Sequence, residues 1–292
     1  MSDTRDGVVA GLIAYSLWGF LPLYFKATAD VPPVELLLHR VIWAVPFGAL
    51  IVFLRRQWPE VRRGLTHRSM LTWLVTAALF LAVNWYIFIL AIQDDQVFQV
   101  SLGYYINPLL YVVAGILVFG ERLRIAQVIA VALAATGVLV LTFSGGQFPA
   151  YALAIGATFA VYGVIRKRVV IGGMPGLFIE TLVLMPIAVI WIGWMVFHGG
   201  VTFGSSPGIT GLLLLAGPVT VVPLLFFALA ARRLPLSTVA FMQFMAPTMH
   251  FGIAKYYGEV LTTAHMICFA CIWSAVIIFS TDALRQSRQK AE

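Results

Sequence analysis

Hydrophobic residues in this chain come in long unbroken blocks rather than in alternation, and short polar connections separate the blocks. A bilayer core takes about 20 apolar residues of helix to cross its roughly 30 Å. Blocks of that length lie near residues 7–27, 34–54, 70–92, 97–119, 124–143, 150–169, 174–197, 208–231, 236–257 and 262–281. In lipid every backbone polar group needs an internal partner, which leaves helices or closed barrels. A barrel strand alternates apolar and polar positions with period two, and these blocks do not. The pattern therefore predicts an all-α integral membrane protein with ten transmembrane helices. The longest hydrophilic connection runs from Arg55 to Ser69, and every other reads as a tight turn, so a separate soluble domain has no room.

The basic residues orient this bundle. The N-terminus and every second connection hold Arg5; Arg55, Arg56, Arg62, Arg63 and Arg68; Arg122 and Arg124; Arg166, Lys167 and Arg168; and Arg232 and Arg233. With Arg285, Arg288 and Lys290 of the tail, these are 16 of the 19 lysines and arginines. The opposite connections hold only Lys26 and Lys255, and Arg40 lies inside a block. Short loops with such a bias place their basic side in the cytoplasm, so both termini are expected there.

The chain also repeats itself. Arg40-x5-Pro46 in the second block and Glu180-x5-Pro186 in the seventh are offset by nearly the same distance as Asn107-Pro108 and Ala246-Pro247, or Gly120-Glu121 and Gly258-Glu259. Trp18-Gly19 is echoed by Tyr162-Gly163. Five crossings per copy is odd, so the second copy, 147–292, is expected to thread through lipid in the opposite sense to the first, 1–146. Such inverted halves pack about a two-fold axis in the membrane plane and share one midplane site.

Composition narrows the partners. A chain that is 61% hydrophobic and 11% charged would give a soluble protein an untenable surface and suits a bilayer. The net charge of +7 is absorbed by the orientation bias, and no basic segment interleaved with aromatics sits on a soluble domain, so nucleic acid is not an expected partner. The first block is too long for the core of a cleavable signal and opens the repeating pattern, so it reads as a retained helix. Cys268-x-x-Cys271 lies inside the last block among apolar residues, which suits small packing residues on one helix face rather than redox chemistry.

Polar residues at membrane depth are the candidates for function. A charge near the bilayer centre costs about 2.5–3.5 kcal/mol on insertion scales and usually faces a cavity or a partner. Arg40 lies about 9 Å in from the outer end of its helix, and Glu180 is similarly deep from the cytoplasmic end. Arg40 reads as an anion or carbonyl clamp, or else as a snorkelling side chain paired with Glu35 one turn away. Glu180 reads as a gate or proton-carrying group, and Glu35 and His39, one turn apart, as a pair able to share a proton. Asn84, Gln99, Asn107, Gln243 and His250 either bond between helices, worth about 0.6 kcal/mol on average, or line a cavity together with Tyr15, Trp18, Trp85, Tyr86, Tyr104 and Tyr162. An aromatic lining with a few amides suits a flat or amphiphilic organic solute better than a bare ion. Pro22, Pro46, Pro108, Pro186, Pro218, Pro223 and Pro247 interrupt the blocks and are expected to kink them. Glu121 and Glu259 read as structural turn markers.

Ser101-Leu-Gly-Tyr-Tyr-Ile-Asn-Pro-Leu109 running on to Gly120-Glu121-Arg122-Leu123, with Ala246-Pro247-Thr248 and Gly258-Glu259 in the second half, resembles the EamA family of the drug/metabolite transporter superfamily. The Leu-Gly-Tyr-Tyr-Ile-Asn-Pro wording, Glu35-x3-His39-Arg40-x2-Trp43, Asn84-Trp85 and Gln243-x3-Pro247-Thr248 look more narrowly like the RarD-type permeases, named for chloramphenicol sensitivity. The resemblance covers all ten blocks. It implies a carrier of small organic solutes with a cavity between spans 1–4 and 6–9, spans 5 and 10 at the periphery, and Trp43 among the cavity residues. Where the RarD pattern often has a glutamate before Ser-Leu-Gly-Tyr, this chain has Gln99.

The expected function is secondary transport across the inner membrane, outward, with protons as one coupling partner or with none, as a facilitative uniporter. No Gly-x4-Gly-Lys-Ser/Thr loop is present, so ATP hydrolysis is not expected to drive it, and no cofactor or metal ligand set is expected. The first block has no carboxylate between Val8 and Phe25, which argues against exchange at an acidic first helix. The rivals are an intramembrane enzyme and a scaffold. Gly204-Ser205-Ser206-Pro207-Gly208 matches Gly-x-Ser-x-Gly by letters, but no strand precedes it.

Overall fold

A computed structural model of the chain describes residues 2–119, 125–145, 148–234 and 242–289. Among them every regular element is a helix, and a helix falls on each of the ten apolar blocks. The first block is broken into α1 (Ser2–Gly19) and α2 (Leu21–Ala27), and the next is α3 (Pro33–Leu54). A short helix, α4 (Trp58–Thr66), precedes α5 (Arg68–Gln93), α6 (Val97–Phe119) and α7 (Ile125–Gly145). The second half holds α8 (Ala150–Lys167), α9 (Gly173–Phe197), α10 (Pro207–Arg233), α11 (Met245–Tyr256) and α12 (Thr263–Gln289). Seven segments among the described residues are long and apolar enough to cross a bilayer. The Gly120-Glu121 turn and the start of the ninth block lie outside the described residues.

The break in the first block has a plain cause. In an unbroken helix the carbonyl of Trp18 would accept from the N–H of residue 22, which is proline and has none. The helix interrupts at Phe20, and the freed Trp18 carbonyl instead meets His250 Nε2 at 3.1 Å. A carbonyl only accepts, so the Nε2 of His250 carries the proton.

Two connections differ from the pattern reading. The Arg55–Ser69 connection contains α4, which buries Val61 and Gly64 against Ile171 and Ile179 and exposes its arginines. The helix was legible in Trp58-Pro59-Glu60, with proline in the first turn where its missing N–H costs nothing. Residues 198–206 form an extended loop rather than a tight turn, because a carboxylate on another helix holds their amides, as described below.

The pairings of helices follow a regular scheme. α1 packs on α10 as α5 packs on α8; α6 packs on α8 as α11 packs on α1; α3 packs on α10 as α9 packs on α5. α3 with α9, α6 with α11 and α7 with α12 are the other large pairings. Exchanging each block with the one five further on maps this group of large pairings onto itself, whereas smaller contacts such as α6 with α7 have no such counterpart among the described residues. Where two helices press closest, a small residue lets the backbones meet, the usual device in lipid. A Cβ on Gly217 of α10 would overlap the Trp43 carbonyl of α3, and one on Gly137 of α7 would stand 3.0 Å from the Cys268 carbonyl of α12. Cys268 and Cys271 are thus packing residues at the α7–α12 crossing.

Gly217→Ala must push α3 and α10 apart, whereas Gly211→Ala on the same helix meets nothing within 4 Å. Overpacking of this kind costs about 1–3 kcal/mol. Thermal melts in detergent are expected to show a lower Tm for Gly217→Ala and an unchanged or higher one for Gly211→Ala; equal melts would show that the crossing tolerates the methyl.

Candidate functional site

Arg40 is 6% exposed and Glu180 is 0% exposed, and a continuous path of rings joins them inside the bundle. Arg40 of α3 donates from Nε to Thr220 Oγ1 of α10 at 2.8 Å. Its guanidinium carbon stands 4.0 Å from the centre of the Trp85 ring and 5.6 Å from that of Phe25. Phe25 touches Phe88 at 5.6 Å between centroids, and Phe88 meets both Tyr104 at 5.9 Å and His250 at 6.0 Å. Tyr104 continues to Phe159 at 6.1 Å and Phe159 to Tyr162 at 5.8 Å. The Tyr162 hydroxyl then donates to Glu180 Oε2 at 3.1 Å. The members come from α2, α3, α5, α6, α8, α9, α10 and α11, that is, from both halves of the chain. α7 and α12 supply none of them.

The two charges are matched differently. Glu180 faces Arg166 Nε at 3.5 Å, so the arginine that counted toward the basic side of the membrane also serves as this carboxylate's partner. Arg40 faces no carboxylate among the described residues. Its neighbour Glu35, fully buried, does not pair with it: the carboxylate accepts from the amides of Thr202, at 2.8 and 2.9 Å, and of Phe203, at 2.9 Å. The Arg40 cation thus lies against ring faces and a hydroxyl, and Glu35 is not its partner.

His39 lies between these groups. Its Nδ1 accepts from Trp43 Nε1 at 3.1 Å, which leaves the proton on Nε2, 3.8 Å from Glu35 Oε1. The imidazole also stacks on Phe203 at 4.9 Å, so Glu35, His39 and Trp43 together hold the 198–206 loop against α3.

The remaining candidates divide by partner. Asn84 donates to the Ile155 carbonyl and to Thr158 Oγ1, both at 2.9 Å, and so ties α5 to α8. Gln99 accepts from Tyr151 N at 3.0 Å and donates to Gln96 Oε1 at 2.8 Å, bridging the starts of α6 and α8 rather than joining the ring path. Tyr15 packs on Trp18 and Phe227 at the α1–α10 seam. Gln243 is half-buried in the turn before α11. Asn107 is fully buried, and neither atom of its amide has a hydrogen-bond partner among the described residues. The same is true of His250 Nδ1. Ser206, the serine of the Gly-x-Ser-x-Gly letters, accepts from Ile209 N at 3.2 Å and caps α10.

Sequence reading passed over Thr220, Phe25, Phe88 and Phe159. Thr220 had a usable signal, a hydroxyl residue between two prolines in an apolar block; a phenylalanine in such a composition carries none.

Three carboxylates also reach from one half of the sequence to backbone donors of the other. Besides Glu35, Glu60 of α4 accepts from Gly172 N at 2.5 Å at the start of α9, and Glu259 accepts from Val97 N at 2.6 Å and Phe98 N at 2.9 Å at the start of α6. The first amides of a helix have no partner within it and favour an anion. Burial pushes the Glu259 carboxyl above its ordinary range, with the two amides and Lys26 pulling the other way.

The EamA-like transporter family model matches residues 5–143. An uncharacterized transporter of Vibrio cholerae is 42% identical over 286 residues, covering 97% of this chain and 94% of its own. The protein RarD of Escherichia coli is 40% identical over 292 residues and 99% of each chain. The chloramphenicol-sensitive protein RarD of Pseudomonas aeruginosa is 30% identical over 297 residues, covering 100% of this chain and 99% of its own. A solved crystal structure at 20% identity shares the fold, with a TM-score of 0.60 over 97% of this chain and 99% of that one. With buried charges on a path of rings and relatives matched from end to end, the chain belongs to the EamA-like transporter family of multi-pass membrane proteins, among its RarD-type members.

Proposed function

We propose that this chain is a secondary carrier of a small organic solute in the inner membrane, working outward by alternating access between two oppositely threaded five-helix halves, 1–146 and 147–292. The observation that carries the reading is the pair of repeat-related charges, Arg40 and Glu180, buried in one ring-lined cluster to which both halves contribute. A charge kept at that depth is costly unless function uses it. The helix pairings support two related halves, since the exchange of blocks maps the group of large pairings onto itself. The basic residues support cytoplasmic termini.

In this reading the cluster is closed to both sides. Glu35, with His39 and Trp43, holds the outer loop, and Glu60 holds the segment before α9. Release of one set at a time opens one side. The solute sits among Arg40, Trp85, Tyr104, Asn107 and His250, with Tyr15, Trp18, Trp43, Asn84, Gln99, Tyr162 and Gln243 supporting the walls. Glu180, Glu35 and His39 are the gating or proton-carrying groups. A facilitative cycle without ion coupling is the second reading, and Arg166 favours it: a carboxylate already matched by a cation at 3.5 Å can stay ionised throughout.

Flux into liposomes holding the purified chain, measured with a panel of labelled metabolites, tests the carrier. Arg40→Ala and Glu180→Gln are expected to lower the rate by at least about tenfold, roughly 1.4 kcal/mol, with normal expression. An imposed pH gradient is expected to change the rate if Glu180 carries the proton; a rate indifferent to the gradient selects the facilitative cycle. If no solute moves faster than in empty vesicles, or if both variants carry it normally, the carrier assignment fails.

Reporters fused after each hydrophobic block address the threading. Cytoplasmic signals are expected after the second, fourth, sixth, eighth and tenth blocks and external signals after the others. Signals showing both halves in the same sense would remove the shared two-sided site.

A further inference from the structure

The buried cluster carries an unequal charge, and its meaning for the solute rests on the carrier reading above. Glu180 has Arg166. Arg40 has no carboxylate among the described residues, and the acid five residues before it is committed to the amides of Thr202 and Phe203. What holds Arg40 is one hydroxyl, Thr220 Oγ1 at 2.8 Å on Nε, and the faces of Trp85 and Phe25. Its two terminal nitrogens make no hydrogen bond among the described residues.

Ring faces attract a guanidinium, but they do not replace the solvation that a buried ion loses. The missing contribution has a defined shape. The bond to Thr220 fixes Nε, and the planar fork of the two terminal nitrogens matches the two oxygens of a carboxylate. Around that fork stand ring faces, Trp85 and Phe25 against the guanidinium and Phe88 and Tyr104 beyond them, with the phenols of Tyr24 and Tyr104 near enough to interact with its charge but no carboxylate among the described residues. One unmatched cation calls for one negative charge. A dianion would bring a second charge with no partner, a cation would repel Arg40, and a neutral solute could accept a hydrogen bond but would supply no counter-charge.

We propose that the transported solute is an organic monoanion, a carboxylate or similar oxyanion on a flat unsaturated body, gripped by the Arg40 fork with the body against Trp85, Phe88 and Tyr104. Thr220 acts as a positioning residue that holds the fork toward the solute.

Four probes of one shape and different charge test this on the purified full-length chain in detergent: benzoate, phthalate, benzamide and benzylammonium, titrated by calorimetry at neutral pH. Benzoate is expected to bind at least about tenfold more tightly than benzamide, with phthalate and benzylammonium weaker than benzoate. Arg40→Gln is expected to erase the preference for benzoate, and Arg40→Lys to keep part of it, in proteins whose melting in detergent shows them folded. Thr220→Val is expected to weaken benzoate while leaving benzamide unchanged.

Benzamide or benzylammonium binding as tightly as benzoate would overturn the proposal. So would a folded Arg40→Gln variant with unaltered benzoate affinity, or the failure of all four probes to bind at millimolar concentration. The carrier reading is judged separately by the liposome flux: a neutral or cationic metabolite carried there leaves the carrier standing and removes only the anion, whereas no flux of any solute removes both.

Discussion

The structure turns on how a membrane interior accommodates charge. Removing an ion from water costs several kcal/mol even after the protein relaxes, and only close partners recover it. This chain meets that cost in two ways. Glu180 is given a cation and a hydroxyl, from Arg166 and Tyr162 on one face of α8. Arg40 is given rings and the Thr220 hydroxyl, with no anion among the described residues. Supplying these partners requires α2, α3, α5 and α10 around Arg40 and α8 beside α9 at Glu180. These helices gather around the charges, and α7 and α12 pack chiefly on each other.

The same economy of partners closes the ends. Helix starts leave amides without internal acceptors, and in a bundle those amides are either solvated or met by a side chain. Glu60 and Glu259 meet such amides across the seam between the halves, and Glu35 meets the loop amides of Thr202 and Phe203 in the same way. Contacts of this kind hold a closed arrangement without covalent commitment, and the few bonds at each end can be exchanged for water. The break at Pro22 adds to this freedom, whereas Pro46, Pro186, Pro218 and Pro223 lie inside continuous helices. The carbonyl released by Pro22 is taken by a histidine of the other half, which joins the bend in the first crossing to α11.

Much of this was legible in the chain before its folding. Helices stand on all ten apolar blocks because length and uninterrupted hydrophobicity leave lipid-exposed backbone no other solution. Arg40 and Glu180 were visible because charge is rare inside an apolar block. Partner choice was less visible. Asn84 and Gln99 have the same chemistry in sequence, but one ties α5 to α8 and the other joins two helix starts, a difference that depends on rotation about each helix axis. Arg166 belonged to the basic side by count, and only its place one turn after Tyr162 hinted that it faces Glu180. The α4 helix was passed over because its segment is hydrophilic on average, and only Val61 and Gly64 turn inward.

Access to the charge cluster from each face in turn is what separates a carrier from a bundle that merely buries two charges. It is measured most directly at Thr220, beside Arg40, by replacing Cys268 and Cys271 with alanine, introducing Thr220→Cys, and adding a membrane-impermeant maleimide to right-side-out and to inside-out vesicles. The account predicts that the thiol is modified from either side. Modification from one side alone, in every condition that supports flux, would contradict it.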